Sequence, residues 1–196
     1  MTDTTRAQFL SRGAKGGLAL VAGGALLGIA EGPAFGAASG DVAIAKLAAT
    51  AELLAMDFYR KAIASRKLTN PAEAAYLASA LSNEQAHYAA LKGVLGMATP
   101  KGVKFQFPAN AFMSRRSIGE LGMALETAFV GAYMGAVTAL KSNELKGVAA
   151  QIGANESRHL SVLTNIAAGG VLVPAPALPK VLTAKQATVA VTPFLA

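Results

Sequence analysis

Two segments of the chain share one pattern: Asn83-Glu84-Gln85-Ala86-His87 and Asn155-Glu156-Ser157-Arg158-His159. The 196 residues contain only two histidines, and each follows a glutamate by three positions. Side chains three positions apart lie on one face of a helix, so each segment presents a carboxylate and an imidazole to the same point. We therefore expect a polar site where two such helices face each other.

Apolar residues recur at three- and four-residue steps around both segments. This periodicity predicts helices over residues 41–66, 71–95, 117–140 and 144–168. Short turns join the first helix to the second and the third to the fourth, so each pair should form an antiparallel hairpin. The connection over residues 97–116 is long enough to cross the bundle, which makes helices 2 and 3 parallel. The expected fold is all-α, a four-helix bundle over residues 39–170 with one long crossover between helices 2 and 3.

The helix starts carry local signals of their own. Asn70 precedes a proline, the typical pair at the start of a helix. Ser117 and Glu120 have the spacing of a capping box and predict the start of the third helix. In the C-terminal tail, residues 171–196, Thr183 is expected to cap one short closing helix.

Residues 1–38 have the three parts of a secretory signal peptide. Basic residues come first, an uncharged apolar run covers residues 18–30, and small residues cluster over 34–38. The stretch around Arg6 is similar to a twin-arginine signal, although an alanine stands where the second arginine belongs. An uncleaved N-terminal membrane anchor is the alternative, if its helix begins before the apolar run. We expect an exported protein, periplasmic or otherwise extracytoplasmic.

The composition excludes several kinds of site. The chain has no cysteine, which rules out disulfides, thiolate zinc sites, iron–sulfur clusters and a cysteine nucleophile. The net charge is +7, but the basic residues are scattered and form no stripe, so we expect no nucleic-acid partner. Hydrophobic residues make up 53% and aromatic residues 6%, a mixture that suits closely packed helices.

Glutamates also fall on the apolar stripes of the first and third helices. With the two Glu-x-x-His segments they predict six ligand-type side chains near the middle of the bundle: Glu52, Glu84, His87, Glu126, Glu156 and His159. Four buried carboxylates repel one another and are costly to desolvate. Two divalent cations would cancel their charge. The alternative is a set of surface residues, or of buried groups satisfied by hydrogen bonds.

The glutamates of the first and third helices, Glu52 and Glu126, are each followed seven positions later by a tyrosine. Tyr59 follows Glu52 and Tyr133 follows Glu126, and seven positions are almost two helical turns, so each tyrosine lies on the face of its glutamate. We expect the two hydroxyls to bond carboxylates, or the two phenols to supply an electron in catalysis. The alternative is that both are ordinary core aromatics.

An asparagine directly precedes the glutamate in both Glu-x-x-His segments. Asn83 and Asn155 are 72 positions apart, as are the two segments, so the two hairpins repeat each other. We expect each asparagine to hold the imidazole of the opposite hairpin through a hydrogen bond outside the metal's own ligands.

The order Glu, Glu-x-x-His, Glu, Glu-x-x-His on four helices resembles the ligand set of the ferritin-like di-iron and di-manganese carboxylate proteins. The resemblance covers about residues 41–168 and all six ligand positions. Residues 155–159 are similar to the family's Asp-Glu-x-Arg-His, with asparagine in place of aspartate, whereas residues 83–87 keep only the glutamate and the histidine. The export signal, crossover and proline-rich tail look most like bacterial ferritin-like domain proteins related to plant desiccation proteins.

The resemblance implies two iron or two manganese ions, which suits carboxylate and imidazole ligands without thiolate. Glu52 and Glu126 would be terminal ligands, Glu84 and Glu156 would bridge, and one histidine would bind each ion.

Three functions follow from this resemblance. The first is a dimetal oxidoreductase acting on O2 or H2O2 as an oxidase, peroxidase or catalase, with Fe(II) as a further substrate. The second is a non-catalytic iron-binding or storage protein. The third is a structural, stress-related protein that binds metal for stability. A homo-oligomer is compatible with all three, and membrane contact is expected only through an uncleaved N-terminus.

Overall fold

The computed structural model describes residues 39–196, and all its regular secondary structure is helical. The helices are α1 Ser39–Ser65, α2 Pro71–Leu95, α3 Arg115–Ala139, α4 Asn143–Ala167 and α5 Ala184–Val191, with 3-10 turns at Gly96–Ala98 and Thr192–Phe194. Extended pairing within the described residues is limited to one isolated bridge between Phe105 and Leu195. The predicted signal peptide or anchor, residues 1–38, lies outside the described residues. The all-α class is confirmed.

The four long helices form two hairpins that pack against each other. Helix α1 packs along α2 and α3 packs along α4, while α1 contacts α3 and α2 contacts α4 across the bundle. Arg115 at the start of α3 donates to Glu73 at the start of α2, with Nε 2.9 Å from Oε2, so α2 and α3 begin at the same end. Asp41 at the start of α1 accepts from the backbone N–H groups of Lys141 and Ser142, at the far end of α3. These ties confirm the long crossover and the parallel course of α2 and α3.

Two of the three expected helix caps are present. Asn70 accepts a hydrogen bond from the Ala72 N–H at 2.9 Å, and Thr183 forms a capping box with Gln186 at the start of α5. The third was expected at the wrong residue, because α3 begins at Arg115.

The capping box of α3 joins Ser114 and Ser117, not Ser117 and Glu120. Ser114 has the extended backbone that a cap requires, with φ −149° and ψ 161°, and Ser117 occupies the third helical position. The carboxylate of Glu120 is exposed and pairs with Arg116 at 2.7 Å. Two serines three positions apart satisfy the same local rule, so the sequence alone did not separate them.

Helix α3 is largely enclosed, with 11 buried residues. By length and composition it would be able to cross a membrane. Half of its most apolar stretch of 18 residues is buried inside the bundle, however, as in the core helix of a soluble protein. Helix α5 packs on it, and the chain before α5 lies directly on its backbone. The Leu182 N–H donates to the Gly131 carbonyl at 2.9 Å, and a Cβ atom at Gly135 would lie 1.8 Å from the Leu182 carbonyl oxygen. Residue 135 therefore has to be glycine, because the backbone of the C-terminal tail packs directly against it.

This close approach predicts the effect of two Gly→Ala substitutions. G135A should lower the free energy of unfolding by about 1–3 kcal/mol, because backbone must move away from the new methyl group. G147A, on an open face of α4, should raise it by about 0.5–1 kcal/mol through helix propensity. Denaturant titration measures both, and limited proteolysis should show the tail of G135A released. Equal stability of the two variants would contradict the packing of the tail against Gly135.

Candidate metal centre

The six residues singled out by the sequence meet at one place in the bundle interior. They comprise Glu52 on α1, Glu84 and His87 on α2, Glu126 on α3, and Glu156 and His159 on α4. The four glutamates are at most 2% exposed and His159 is fully buried. The side chain of His87 is 12% exposed and reaches the surface.

Three carboxylates surround one nitrogen of His87. Its Nδ1 atom lies 3.1 Å from Glu156 Oε1, 3.2 Å from Glu84 Oε2 and 3.3 Å from Glu52 Oε2. One N–H group cannot serve three acceptors in three directions, and only the contact with Glu84 has the geometry of a hydrogen bond. A cation bound to Nδ1 in place of this proton would be able to contact all three carboxylates.

The arrangement around His159 is the same in kind. Its Nδ1 atom lies 2.8 Å from Glu84 Oε1, 2.9 Å from Glu156 Oε2 and 3.7 Å from Glu126 Oε1. Glu84 and Glu156 therefore take part in both groups, and each turns one oxygen toward His87 and the other toward His159. Glu52 belongs only to the first group and Glu126 only to the second.

The unpaired atoms of the cluster test whether metal ions fit. Each of the four glutamates has one buried side-chain oxygen without a hydrogen-bond partner in the described part of the chain: Glu52 Oε2, Glu84 Oε1, Glu126 Oε2 and Glu156 Oε1. A buried carboxylate oxygen without a partner is strongly unfavourable. Oxygen and imidazole nitrogen are ligands that iron and manganese accept. The residues of each group could therefore hold a metal ion of this kind.

The two tyrosines donate hydrogen bonds to Glu52 and Glu126, the two glutamates that each belong to only one of the two groups. The Tyr59 hydroxyl donates to Glu126 Oε1 at 2.5 Å, and the Tyr133 hydroxyl donates to Glu52 Oε1. Each tyrosine thus holds the glutamate of the opposite hairpin. It does not hold the glutamate seven positions before it, with which it shares a helix face. Both rings are buried, and burial raises the pKa of both phenols well above the usual value of 10.

The two asparagines differ. Asn83 Nδ2 lies 3.1 Å from Nε2 of His159, across the two hairpins. The equivalent contact of Asn155 with His87 is absent among the described residues, and the Asn155 side-chain oxygen is buried without a partner. The expected symmetry fails here because the ring of His87 lies toward the surface, while that of His159 is enclosed.

The comparison with known families agrees with this geometry. The family model of the ferritin-like domain matches residues 40–168, which cover all four long helices except Ser39. The chain belongs to the ferritin-like domain family. A search of curated proteins finds no match. The relation to desiccation-related proteins stays a prediction.

One aromatic residue at this ferritin-like site was missed by the sequence analysis. The Tyr76 ring meets His159 edge to face, with centroids 6.2 Å apart, and Tyr59 meets the same imidazole at 5.8 Å. Burial raises the pKa of Tyr76 to about 12. Tyr76 lies seven positions before Asn83 and hence on the same helix face, which is the signal that would have found it. Together these residues enclose His159, whereas His87 is open to solvent.

The protons of the cluster follow from its burial. Desolvation raises the pKa values of Glu52 and Glu126 well above the usual 4.5. Burial also acts to raise the pKa of Glu84, but the close contacts with His159 and His87 outweigh it and lower that pKa to about 2. Desolvation acts to lower the pKa of His159, but contacts with Glu156 and Glu84 raise it to about 9. Without a cation, the ferritin-like centre therefore holds protons in its place.

These shifts predict how the stability of chelator-treated protein changes with pH. A raised pKa in the folded state stabilises the fold at low pH, and this contribution is lost as the pH rises toward the folded pKa. Glu52, Glu126 and His159 all act in this direction, so the melting temperature should fall between about pH 5 and pH 9. Scanning calorimetry at a series of pH values measures it.

A matched pair of variants isolates the carboxylates in this measurement. The double variant E52Q/E126Q places amides where protonated carboxylic acids stood, and should flatten the slope. E120Q, which alters an exposed ion pair, should retain it. A melting temperature that rises with pH in chelator-treated protein, and equally in E52Q/E126Q, would contradict the assignment of protons to this cluster.

Proposed function

We propose that this ferritin-like protein holds two iron or two manganese ions and is an oxidoreductase for O2 or peroxide. The observation that supports it is the division of carboxylate oxygens between two imidazole nitrogens. Glu84 and Glu156 each present one oxygen to His87 and the other to His159, so these two carboxylates would help to hold both ions.

The chemistry that such a pair supplies is a two-electron transfer. When bound, such a pair would supply two electrons, one from each divalent ion, which together with two protons reduce O2 to hydrogen peroxide. The protein's part is to hold the ions in place and to provide protons. Glu52 and Glu126 have raised pKa values and are the carboxyl groups best able to carry protons when they are not bound to metal.

The residues around the ligands fix their orientation. Tyr59 and Tyr133 hold Glu126 and Glu52 by hydrogen bonds, so each of these glutamates turns one oxygen inward. When Nδ1 of His159 binds a cation, the ring proton lies on Nε2, and Asn83 then has to present its carbonyl oxygen to it. This requires a half-turn of the Asn83 amide from the orientation in which its nitrogen faces Nε2.

Exposure supports a reactive centre over a purely stabilising one. His87 reaches the surface, whereas a metal bound only for stability would gain from complete enclosure.

The export of this centre from the cytoplasm is also a proposal, supported by the sequence of residues 1–38. Mass spectrometry of the mature N-terminus tests it, and an intact Met1 on a soluble cytoplasmic protein would contradict it.

Metal content is the first test of the dinuclear centre. Protein purified without chelator should carry about two iron or manganese ions per chain, because two ligand groups are present. E84Q and E156Q should each lose both ions, since the shared carboxylates would bridge them, while E120Q should retain both. Elemental analysis measures the content. One zinc ion per chain, or the loss of only one ion from E84Q, would overturn the assignment.

Reactivity is the second test, and it separates an enzyme from a storage or structural protein. Reduced, iron-loaded protein should consume O2 or H2O2 rapidly in stopped-flow absorbance. Y59F and Y133F should keep their metal but react about tenfold more slowly, a barrier change of about 1.4 kcal/mol from poorly held carboxylates. Y88F is the matched control, because the Tyr88 hydroxyl donates to the Pro100 carbonyl away from the cluster.

Two outcomes would favour the other functions. If iron- and manganese-loaded protein both ignore O2 and peroxide while metal removal only lowers the melting temperature, the centre is structural. If the protein assembles into a large cage with many ions per chain, it stores iron.

A further inference from the structure

A second feature of interest is an apolar cavity beside the metal centre. It lies between α1, α3 and α5, has a volume of about 40 Å³, and is open to the surface on one side. Its lining consists of Ile44, Leu47, Ala48, Ala51, Ala128, Phe129, Ala132, Tyr133, Gly135, Ala136, Ala139, Ala184, Ala187 and Val191. No charged residue is among them.

The cavity exists because the facing side chains are small. Eight of its fourteen lining residues are alanine and one is glycine, so α1 and α3 leave a space that α5 covers only in part. Ala139 and Ala184 are exposed and form its outer rim. Ala51, Phe129 and Tyr133 are buried and form its inner end.

The inner end contacts the metal centre through Tyr133. The hydroxyl of Tyr133 is the one polar side-chain group in the lining, and it donates to Glu52, a member of the His87 group. A smaller apolar cavity of about 20 Å³, lined by residues of all four long helices, shares Ile44, Ala48, Tyr133 and Ala136 with the first. Tyr133 thus lines both cavities and also bonds Glu52.

We propose that this cavity, which we call the Tyr133 cavity, binds dioxygen and leads it to the metal centre. The proposal rests on the proposed function, because it assigns a route to that reaction. Dioxygen is small, uncharged and a poor hydrogen-bond acceptor, so an apolar lining costs it nothing. Hydrogen peroxide and water would have to leave donors and acceptors unpaired in the same space.

The opposite side of the centre has the complementary character. His87 reaches the surface among carboxylates, so polar molecules such as cations and peroxide have a route of their own there. Filling the Tyr133 cavity should therefore affect the two oxidants differently, and this difference distinguishes a dioxygen route from general damage to the centre.

Xenon is a probe for the cavity that does not depend on the metal. The isolated protein under xenon pressure should show a saturable chemical-shift change of bound xenon in NMR. A132L should abolish it, because the leucine side chain occupies the space. A124L, on the exposed face of the same helix, is the matched control and should bind xenon like the natural chain. Absence of xenon binding to the natural chain would overturn the proposal.

Stopped-flow kinetics of the reduced, metal-loaded protein then test the route. A132L should slow the reaction with O2 by about tenfold, a barrier change of about 1.4 kcal/mol, and leave the reaction with H2O2 unchanged. A124L should match the natural chain with both oxidants. If A132L fails to fold, A128L fills the same cavity and replaces it.

The outcomes keep this proposal separate from the proposed function. If the natural chain binds xenon in the cavity but its metal-loaded form reacts with neither oxidant, the proposed function fails, and the route to that reaction fails with it. If it reacts with O2 and the filled variants react equally fast, the oxidoreductase stands and the route through the Tyr133 cavity is wrong. Equal slowing of O2 and H2O2 would likewise overturn the route.

Discussion

Four glutamates, one from each long helix, are buried side by side, and their mutual repulsion is the constraint that the rest of the structure has to meet. Each has one oxygen without a hydrogen-bond partner among residues 39–196. Protons or cations have to compensate this charge, since desolvated carboxylates in contact cannot all remain ionised. Two imidazole nitrogens lie among them at contact distances. The chemistry proposed for the centre is thus a consequence of the same charge balance that permits the fold.

The hairpins place these groups at one height through ties at the bundle ends. Arg115 joins the starts of α2 and α3 and also donates to the Ile166 carbonyl near the end of α4. Asp41 joins the start of α1 to the turn between α3 and α4. Because a helix rises 1.5 Å per residue, a slip of one position would separate the carboxylates from the nitrogens. Polar contacts at the ends therefore support the geometry at the centre.

The repeated sequence of the two hairpins does not make the two halves of the centre equal. His159 is enclosed by Tyr59, Tyr76 and Asn83, whereas His87 reaches the surface and contacts no asparagine of residues 39–196. On the far side of Glu52, Tyr133 borders an apolar cavity. One half of the centre is thus closed, and the other has both a polar and an apolar side.

The sequence by itself determined the helical class, the pairing of the helices, the long crossover and the six residues that meet in the interior. These follow from local periodicity, connection length and the spacing of unlike residues on an apolar stripe. The start of α3 at Arg115 was beyond it, because Ser114 and Ser117 both satisfy the capping rule. Only the tertiary structure decided that each tyrosine bonds the glutamate of the other hairpin, that Asn83 reaches an imidazole and Asn155 does not, and that a cavity borders Tyr133. Such contacts join residues far apart in the chain, and they depend on helix rotation and spacing, which side-chain packing sets.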